Sequence, residues 1–166
     1  LVVGQFIVRE YCEEDEDDLI AIHDLARPVE LQGSCDPRAF VPLRDDAKDL
    51  SEFRACRKLV ALDNGKIRGF VGIGDFEIGW LYVQPDSSRQ GIGRRLLSRA
   101  MALIQEDNSS GTAVSVFVLE ANKPAITLYE SIGFRITETF KSKNNGYPCN
   151  VHKMLSDYNL NCEITE

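Results

Sequence analysis

The residues best suited to chemistry lie in one short run, Gln84-Pro85-Asp86-Ser87-Ser88-Arg89-Gln90-Gly91-Ile92-Gly93-Arg94-Arg95. A strand-like stretch, Glu77–Val83, precedes it. Leu97, Ala100, Met101 and Ile104 follow at helical spacing. The pattern is a strand, a glycine-containing loop and a helix that begins at once. Amides at a helix start are unpaired and carry the positive end of the helix dipole. Gly91 and Gly93 lack Cβ, so a ligand can approach the backbone closely. Arg89, Arg94 and Arg95 add positive charge. Together these features make an anion site of the kind that holds a pyrophosphate.

Other phosphate motifs fit this run less well. A nucleotide P-loop requires Gly-Lys-Ser/Thr, which does not occur in the chain. A dinucleotide fingerprint requires a third glycine where Leu96 stands. Nucleophilic and metal chemistry also find little support. The cysteines are Cys12, Cys35, Cys56, Cys149 and Cys162, with no C-x-x-C pair, and His23 and His152 are far apart in sequence. Neither a disulfide framework nor a metal site is expected.

The net charge of −7 argues against a non-specific nucleic-acid binder and is compatible with a cationic substrate such as an amine. No apolar stretch approaches the ~20 residues of a membrane span. Leu1-Val2-Val3-Gly4 lacks the zones of a signal peptide. The odd, widely spaced cysteines make a reducing cytoplasm the expected setting.

The surrounding elements can be read from periodicity and turn chemistry. Phe6–Tyr11 alternates as a first strand. Six acids, Glu13 to Asp18, precede Leu19, Ile22, His23 and Ala26 at helical spacing. Acids suit a first helical turn, although they could also steer a basic substrate. His23 reads as a packed helix residue, and Pro28 is expected to end or kink the helix. Residues 28–46 read as irregular, and Ala47, Leu50 and Phe53 as a second helix. Leu59–Leu62 and Ile67–Ile73 flank Asn64-Gly65, a strong hairpin signal. With Glu77–Val83 they form a three-strand meander.

Ala113–Leu119 reads as a buried strand, and a short helix carries Ala125, Leu128, Tyr129 and Ile132 up to Gly133. Phe134–Phe140 and Cys149–Leu155 close the pattern around Asn145-Gly146, and residues 156–166 read as a tail. The sequence therefore predicts one α/β domain over residues 1–166. Its mixed, mostly antiparallel sheet has six or seven strands, with helices on both faces. Strands 77–83 and 113–119 should run parallel, because a helix crosses between them. The helix after each of them is expected on opposite sides of that pair.

Trp80-Leu81-Tyr82-Val83-Gln84-Pro85, with Arg89-Gln90-Gly91-Ile92-Gly93-Arg94-Arg95-Leu96-Leu97, resembles motif A of the GNAT acetyltransferases. Asn122-Lys123-Pro124-Ala125-Ile126-Thr127-Leu128-Tyr129-Glu130-Ser131-Ile132-Gly133-Phe134 resembles their motif B. One position departs from the family pattern. Ser88 stands where a Gln or Arg is usual, and the basic residue is displaced to Arg89.

The resemblance implies acetyl-CoA as cosubstrate, no metal, and direct acetyl transfer to a primary amine. It implies that the strand edge at Leu81, Tyr82 and Val83 binds the pantetheine arm. The amides of Arg89, Gln90, Gly91, Ile92, Gly93 and Arg94 would hold the pyrophosphate. Asn122 would bond the cofactor arm, or cap its helix, or both. Tyr129 would protonate the leaving thiolate, unless it is core packing. Glu77 matches the placement of a family base, and otherwise reads as a solvated strand-start charge. Family members acting on protein N-termini carry a glutamate where this chain has Phe117.

The acceptor would be selected by residues 19–57 and the last hairpin. A small-molecule amine is favoured over a peptide or protein amino group. The resemblance also admits a homodimer and a non-catalytic acyl-CoA-binding module, and implies no nucleic-acid or membrane partner.

Overall fold

The computed structural model describes residues 6–156. β1 (Ile7–Glu10) leads into α1 (Glu16–Leu31), two short 3-10 turns and α2 (Ala47–Ala55). The meander β2 (Arg57–Asp63), β3 (Lys66–Gly74) and β4 (Glu77–Val83) follows, then α3 (Ile92–Glu106). β5 (Ser115–Leu119), α4 (Lys123–Ser131), β6 (Phe134–Asn144) and β7 (Tyr147–Ser156) complete the order. The seven strands form one sheet ordered β1-β2-β3-β4-β5-β7-β6. Only β4 and β5 run parallel; every other pairing is antiparallel. Both Asn-Gly turns take the expected form, with positive φ at Asn64, Gly65, Asn145 and Gly146. Ser156, expected to open the tail, ends β7, and the rest of the predicted tail, 157–166, lies outside the described residues.

Alternate residues of the central strands feed two cores. Leu19, Ile22, Leu43 and Phe53 pack on Val60 and Phe70, which puts α1 and α2 on one face. Leu59, Ala61 and Val71 pack with Leu96, Ala100 and Met101 of α3 on the other. With both faces covered, β2 is buried from Lys58 to Ala61. The Lys58 ammonium is satisfied inside by the carbonyls of Phe53 and Cys56. No helix among the described residues is long and apolar enough to cross a membrane.

Two expectations are corrected. α1 does not end at Pro28 but runs to Leu31. Leu31 is 1% exposed and packs with Ala39, Leu119, Cys149 and Val151. Burial of that last turn outweighs the hydrogen bond that proline removes. The second correction concerns α3 and α4, which share one face. Ile92 and Leu96 of α3 join Ile126 and Tyr129 of α4 in a single core cluster. The Arg94 Nη1 atom donates to Ser131 Oγ at 2.9 Å across the two helices.

The acidic run is a helix start held in place by cations. Glu16 pairs with Arg54 at 2.6 Å, and Asp17 pairs with Arg44. Asp15, 6% exposed, accepts from Arg9 at 2.7 and 2.9 Å and from the Cys12 amide at 3.0 Å. Arg9 holds the Asp15 carboxyl down, to about 2. A depressed carboxyl stabilises the fold above its unfolded value near ~3.9 and loses that contribution as pH falls through its folded value. Asp15→Asn should therefore cost about 2 kcal/mol at neutral pH, with the gap to the parent closing between about pH 4 and 2. Urea denaturation across that range measures it, and a gap independent of pH would show that the charge contributes nothing.

Candidate active site

Two residue pairs hold β4 to β5, Glu77↔Ser115 and Ile78↔Val116, and then the strands part. β4 stays bonded to β3 through Val83, and β5 stays bonded to β7 through Leu119. A register shift in the β3–β4 ladder between Gly72 and Ile73 coincides with the parting. From Gly79 to Val83, one edge of a central strand thus has no partner strand. Leu81, Tyr82 and Val83 are half-buried along this open edge.

The loop beyond Val83 turns the open edge into an anion cradle. Pro85–Ser87 makes a 3-10 turn, and Arg89 and Gly91 both adopt positive φ, 63° and 81°. Gly91 caps α3 in the left-handed conformation, with no side chain bonded to the helix start. The first helical bond from this end runs from the Arg95 amide to the Gly91 carbonyl at 3.1 Å. Left-handed residues ahead of a helix turn successive amides into one concavity. A Cβ on Gly91 would meet nothing within 4 Å, so that side of the cradle is open space.

Gly93 also has a packing role that the sequence did not indicate. Its missing Cβ points at the protein, 3.3 Å from Leu128 Cδ2 and 3.7 Å from Val83 Cγ2. The first turn of α3 needs this glycine to sit against α4. The Ile92 side chain is buried in the core, while Arg89, Gln90 and Arg94 are exposed.

Asn122 caps α4, its Oδ1 accepting from the Ala125 amide at 3.4 Å. Tyr129 is 6% exposed, and its ring meets Phe134 edge-on with centroids 5.7 Å apart. Burial, and then the negative charge of Glu30, push its phenol above the ordinary range. Tyr82 belongs to the opposite face of the sheet, stacked edge-on with His23 at 5.0 Å. Its phenol is also pushed well up, by burial and then by Glu30. Glu30 on α1 thus acts electrostatically on phenols from both faces of the sheet.

Glu77 is not part of this group. It sits at the closed end, paired with Gly74 and Ser115. Five residues of strand, roughly 16 Å, separate it from Tyr82.

Sequence reasoning missed Glu30 and Arg27. Arg27 Nη1 lies 2.8 Å from Glu30 Oε2, and Arg27 Nη2 donates to Asn144 Oδ1 at 2.9 Å. The available signal was a polar stripe, His23, Arg27 and Glu30, recurring on one helix face. His23 and Arg27 line a cleft of about 310 Å³ with Asp46, Asp49, Lys143 and Asn144. This cleft joins the α1–α2 region to the last hairpin, the two parts expected to select an acceptor. The hairpin is fixed there by Asn145 Nδ2, which donates to the Ala39 carbonyl at 2.7 Å. Burial and neighbouring Asp46 push the Asp49 carboxyl up. A larger groove, about 590 Å³, lies beside Phe76 and Asp107 at the other end of β4 and contains none of the expected site residues.

A family model for the GNAT acetyltransferase domain matches residues 54–136, half of the chain. The chain belongs to the GNAT family. The matched segment spans the meander, the cradle, β5 and α4, and excludes most of the cleft. Among curated GNAT relatives, the L-amino acid N-acyltransferase MnaT of Escherichia coli K12 is 36% identical over 89 residues, 48% of this chain and 50% of that protein. The L-methionine sulfoximine/L-methionine sulfone acetyltransferase of Salmonella typhimurium matches to the same extent. The chain spans about half the length of these two relatives.

Solved structures share the GNAT fold. A GCN5-related N-acetyltransferase structure from Rhodopseudomonas palustris superposes with a TM-score of 0.81 at 20% identity, covering 95% of this chain and 98% of that one. YncA of Salmonella typhimurium, solved with acetyl-CoA, gives 0.70 at 19% identity, covering 94% and 95%.

The two loop glycines should respond differently to substitution. Gly91→Ala puts a side chain into open space at positive φ and should cost about 1 kcal/mol by backbone strain alone. Gly93→Val drives branches into Leu128 and should cost about 1–3 kcal/mol by overpacking. Chemical denaturation of both variants measures these costs, and a free substitution at Gly93 would refute the packing role.

Proposed function

We propose that the protein is an N-acetyltransferase that moves the acetyl group of acetyl-CoA directly to the primary amine of a small acceptor. The observation that carries this reading is the open β4 edge between an uncapped helix start and the Tyr129 phenol. The residues present suit acetyl-CoA. The cradle from Arg89 to Arg94 offers amides and positive charge to a diphosphate. The unpartnered edge at Leu81, Tyr82 and Val83 offers backbone groups to the amides of an extended arm. Asn122, at the mouth of α4, can bond the same arm while capping its helix.

The protein's work is to align an amine with the thioester, polarise the carbonyl at the strand edge, and protonate sulfur through Tyr129. A phenol is protonated at neutral pH and so can act as the proton donor to sulfur. No covalent acyl-enzyme is required, because no cysteine occurs in the cradle or in α4.

A small acceptor suits the volume of the cleft, and its mixture of Arg27, Lys143, Asp46 and Asp49 suits a zwitterion. The amino-acid substrates named for the two curated relatives support the same class. The negative net charge supports a cationic acceptor and disfavours nucleic acid. We place the reaction in the cytoplasm, without a membrane partner. A homodimer is compatible with this reading.

Acetyl-CoA at about 100 times its dissociation constant should stabilise the protein by about 2.7 kcal/mol in thermal melts, whereas ATP should not. Thiol release with a panel of amino acids and amines then identifies the acceptor. Tyr129→Phe should lower kcat about 10²–10⁴-fold with acetyl-CoA affinity retained in calorimetry. Full activity in that variant would remove Tyr129 as the acid, and acetyl-CoA binding without turnover of any amine would leave a non-catalytic acyl-CoA-binding module.

A further inference from the structure

Building on the acetyltransferase reading, we infer that Glu30 is the carboxylate that receives the acceptor's amino group, holding the ammonium at the β4–β5 fork and taking its proton before attack.

Four observations converge on this residue. Glu30 lies in the last turn of α1, carried there because the helix continues past Pro28. Its Oε2 is buried and has no aligned hydrogen-bond donor, although Arg27 Nη1 stands 2.8 Å away. A carboxylate has about four lone-pair sites, so the pairing with Arg27 leaves capacity for a further donor from outside the protein. Glu30 adjoins the cleft through Arg27, which the Asn144 amide holds on its other side. It also acts electrostatically on Tyr82 and Tyr129, so it faces the group expected to give sulfur its proton. Glu77 has none of these relations among the described residues.

The groups around Glu30 are Arg27 on its own helix, Tyr82 on β4 and Tyr129 on α4, with Asn144 of β6 and Asp49 of α2 reaching it through Arg27. Arg27 holds the carboxylate in place from its own helix, at 2.8 Å.

The proton inventory balances. A docking ammonium gives one proton to Glu30 and becomes a free amine. The amine nitrogen forms a bond to the thioester carbonyl carbon, and the carbon–sulfur bond breaks. The departing thiolate takes the Tyr129 phenol proton, and the phenolate recovers a proton from the Glu30 carboxyl. The nitrogen sheds its second proton to water, leaving an amide, a thiol and one proton released. The order matters for Tyr129. While Glu30 is charged it opposes ionisation of the phenol, and once Glu30 is neutral that opposition is gone. Uptake of the amine's proton therefore prepares the acid for the following step.

Glu30→Gln is the test, with Glu30→Asp as a second variant that keeps the charge but withdraws it by one methylene. With the best amine from the panel, Glu30→Gln should lower kcat/KM for the amine about 10²–10⁴-fold, with acetyl-CoA affinity unchanged in calorimetry. Glu30→Asp should fall between the variant and the parent. Phenolate absorbance during alkaline titration gives a readout independent of turnover. One tyrosine, identified as Tyr129 by its loss in Tyr129→Phe, should ionise at lower pH in Glu30→Gln. An active parent whose Glu30→Gln variant is equally active, or a Tyr129 titration that Glu30→Gln leaves unmoved, overturns the assignment. Loss of amine turnover in Glu77→Gln but not in Glu30→Gln returns the role to Glu77. A parent that binds acetyl-CoA and acetylates no amine defeats the transferase reading itself, and this assignment falls with it.

Discussion

The parting of β4 from β5 after two residue pairs is the constraint on which the site depends. Parallel strands ordinarily stay bonded along their length, and an unpaired edge inside a sheet leaves backbone groups without partners. Here the cost is confined to the few residues between Gly79 and Val83, held open by helices on each side. α3 braces one arm of the fork, and α4 follows directly from the other. The same gap gives an extended ligand an edge to bind, and lets groups from opposite faces of the sheet reach one another.

Charge in this molecule is arranged locally. The chain is acidic as a whole, yet the loop ahead of α3 gathers Arg89, Arg94 and Arg95 around an uncapped helix start. Asp15, Glu16 and Asp17 of the N-terminal run are engaged by Arg9, Arg54 and Arg44, and these pairs anchor α1 against its neighbours. Glu30 is paired too, but with Arg27, a cation that is itself held by a hairpin amide.

Much of this was legible in the sequence because it follows from local rules. Asn64-Gly65 and Asn145-Gly146 specify their turns through φ alone. The strand, loop and helix around Gly91 specify the cradle, and the crossover helix requires β4 and β5 to be parallel. What escaped depends on contacts between distant segments. Proline's effect at position 28 is local, but the burial that carries α1 onward involves Leu119 and Val151, which no window around Pro28 contains. The side chosen by α4 depends on how closely α3 can approach, and that is set by the bare Cα of Gly93 against Leu128. Glu30 looked like any helical glutamate until the fold placed it beside two phenols.

The links between α1, the turn at Ala39 and the last hairpin have a wider consequence. Arg27 to Asn144 and Asn145 to Ala39 join two segments that both fall outside residues 54–136. The part of the chain that carries the family signature and the part that shapes the cleft are therefore separate modules, meeting at the fork. Asp46, Asp49 and Lys143 line the cleft from segments that lie outside the family-matched residues. The cleft wall can thus be rebuilt by changes in these two segments while the cradle, β5 and α4 keep their own contacts.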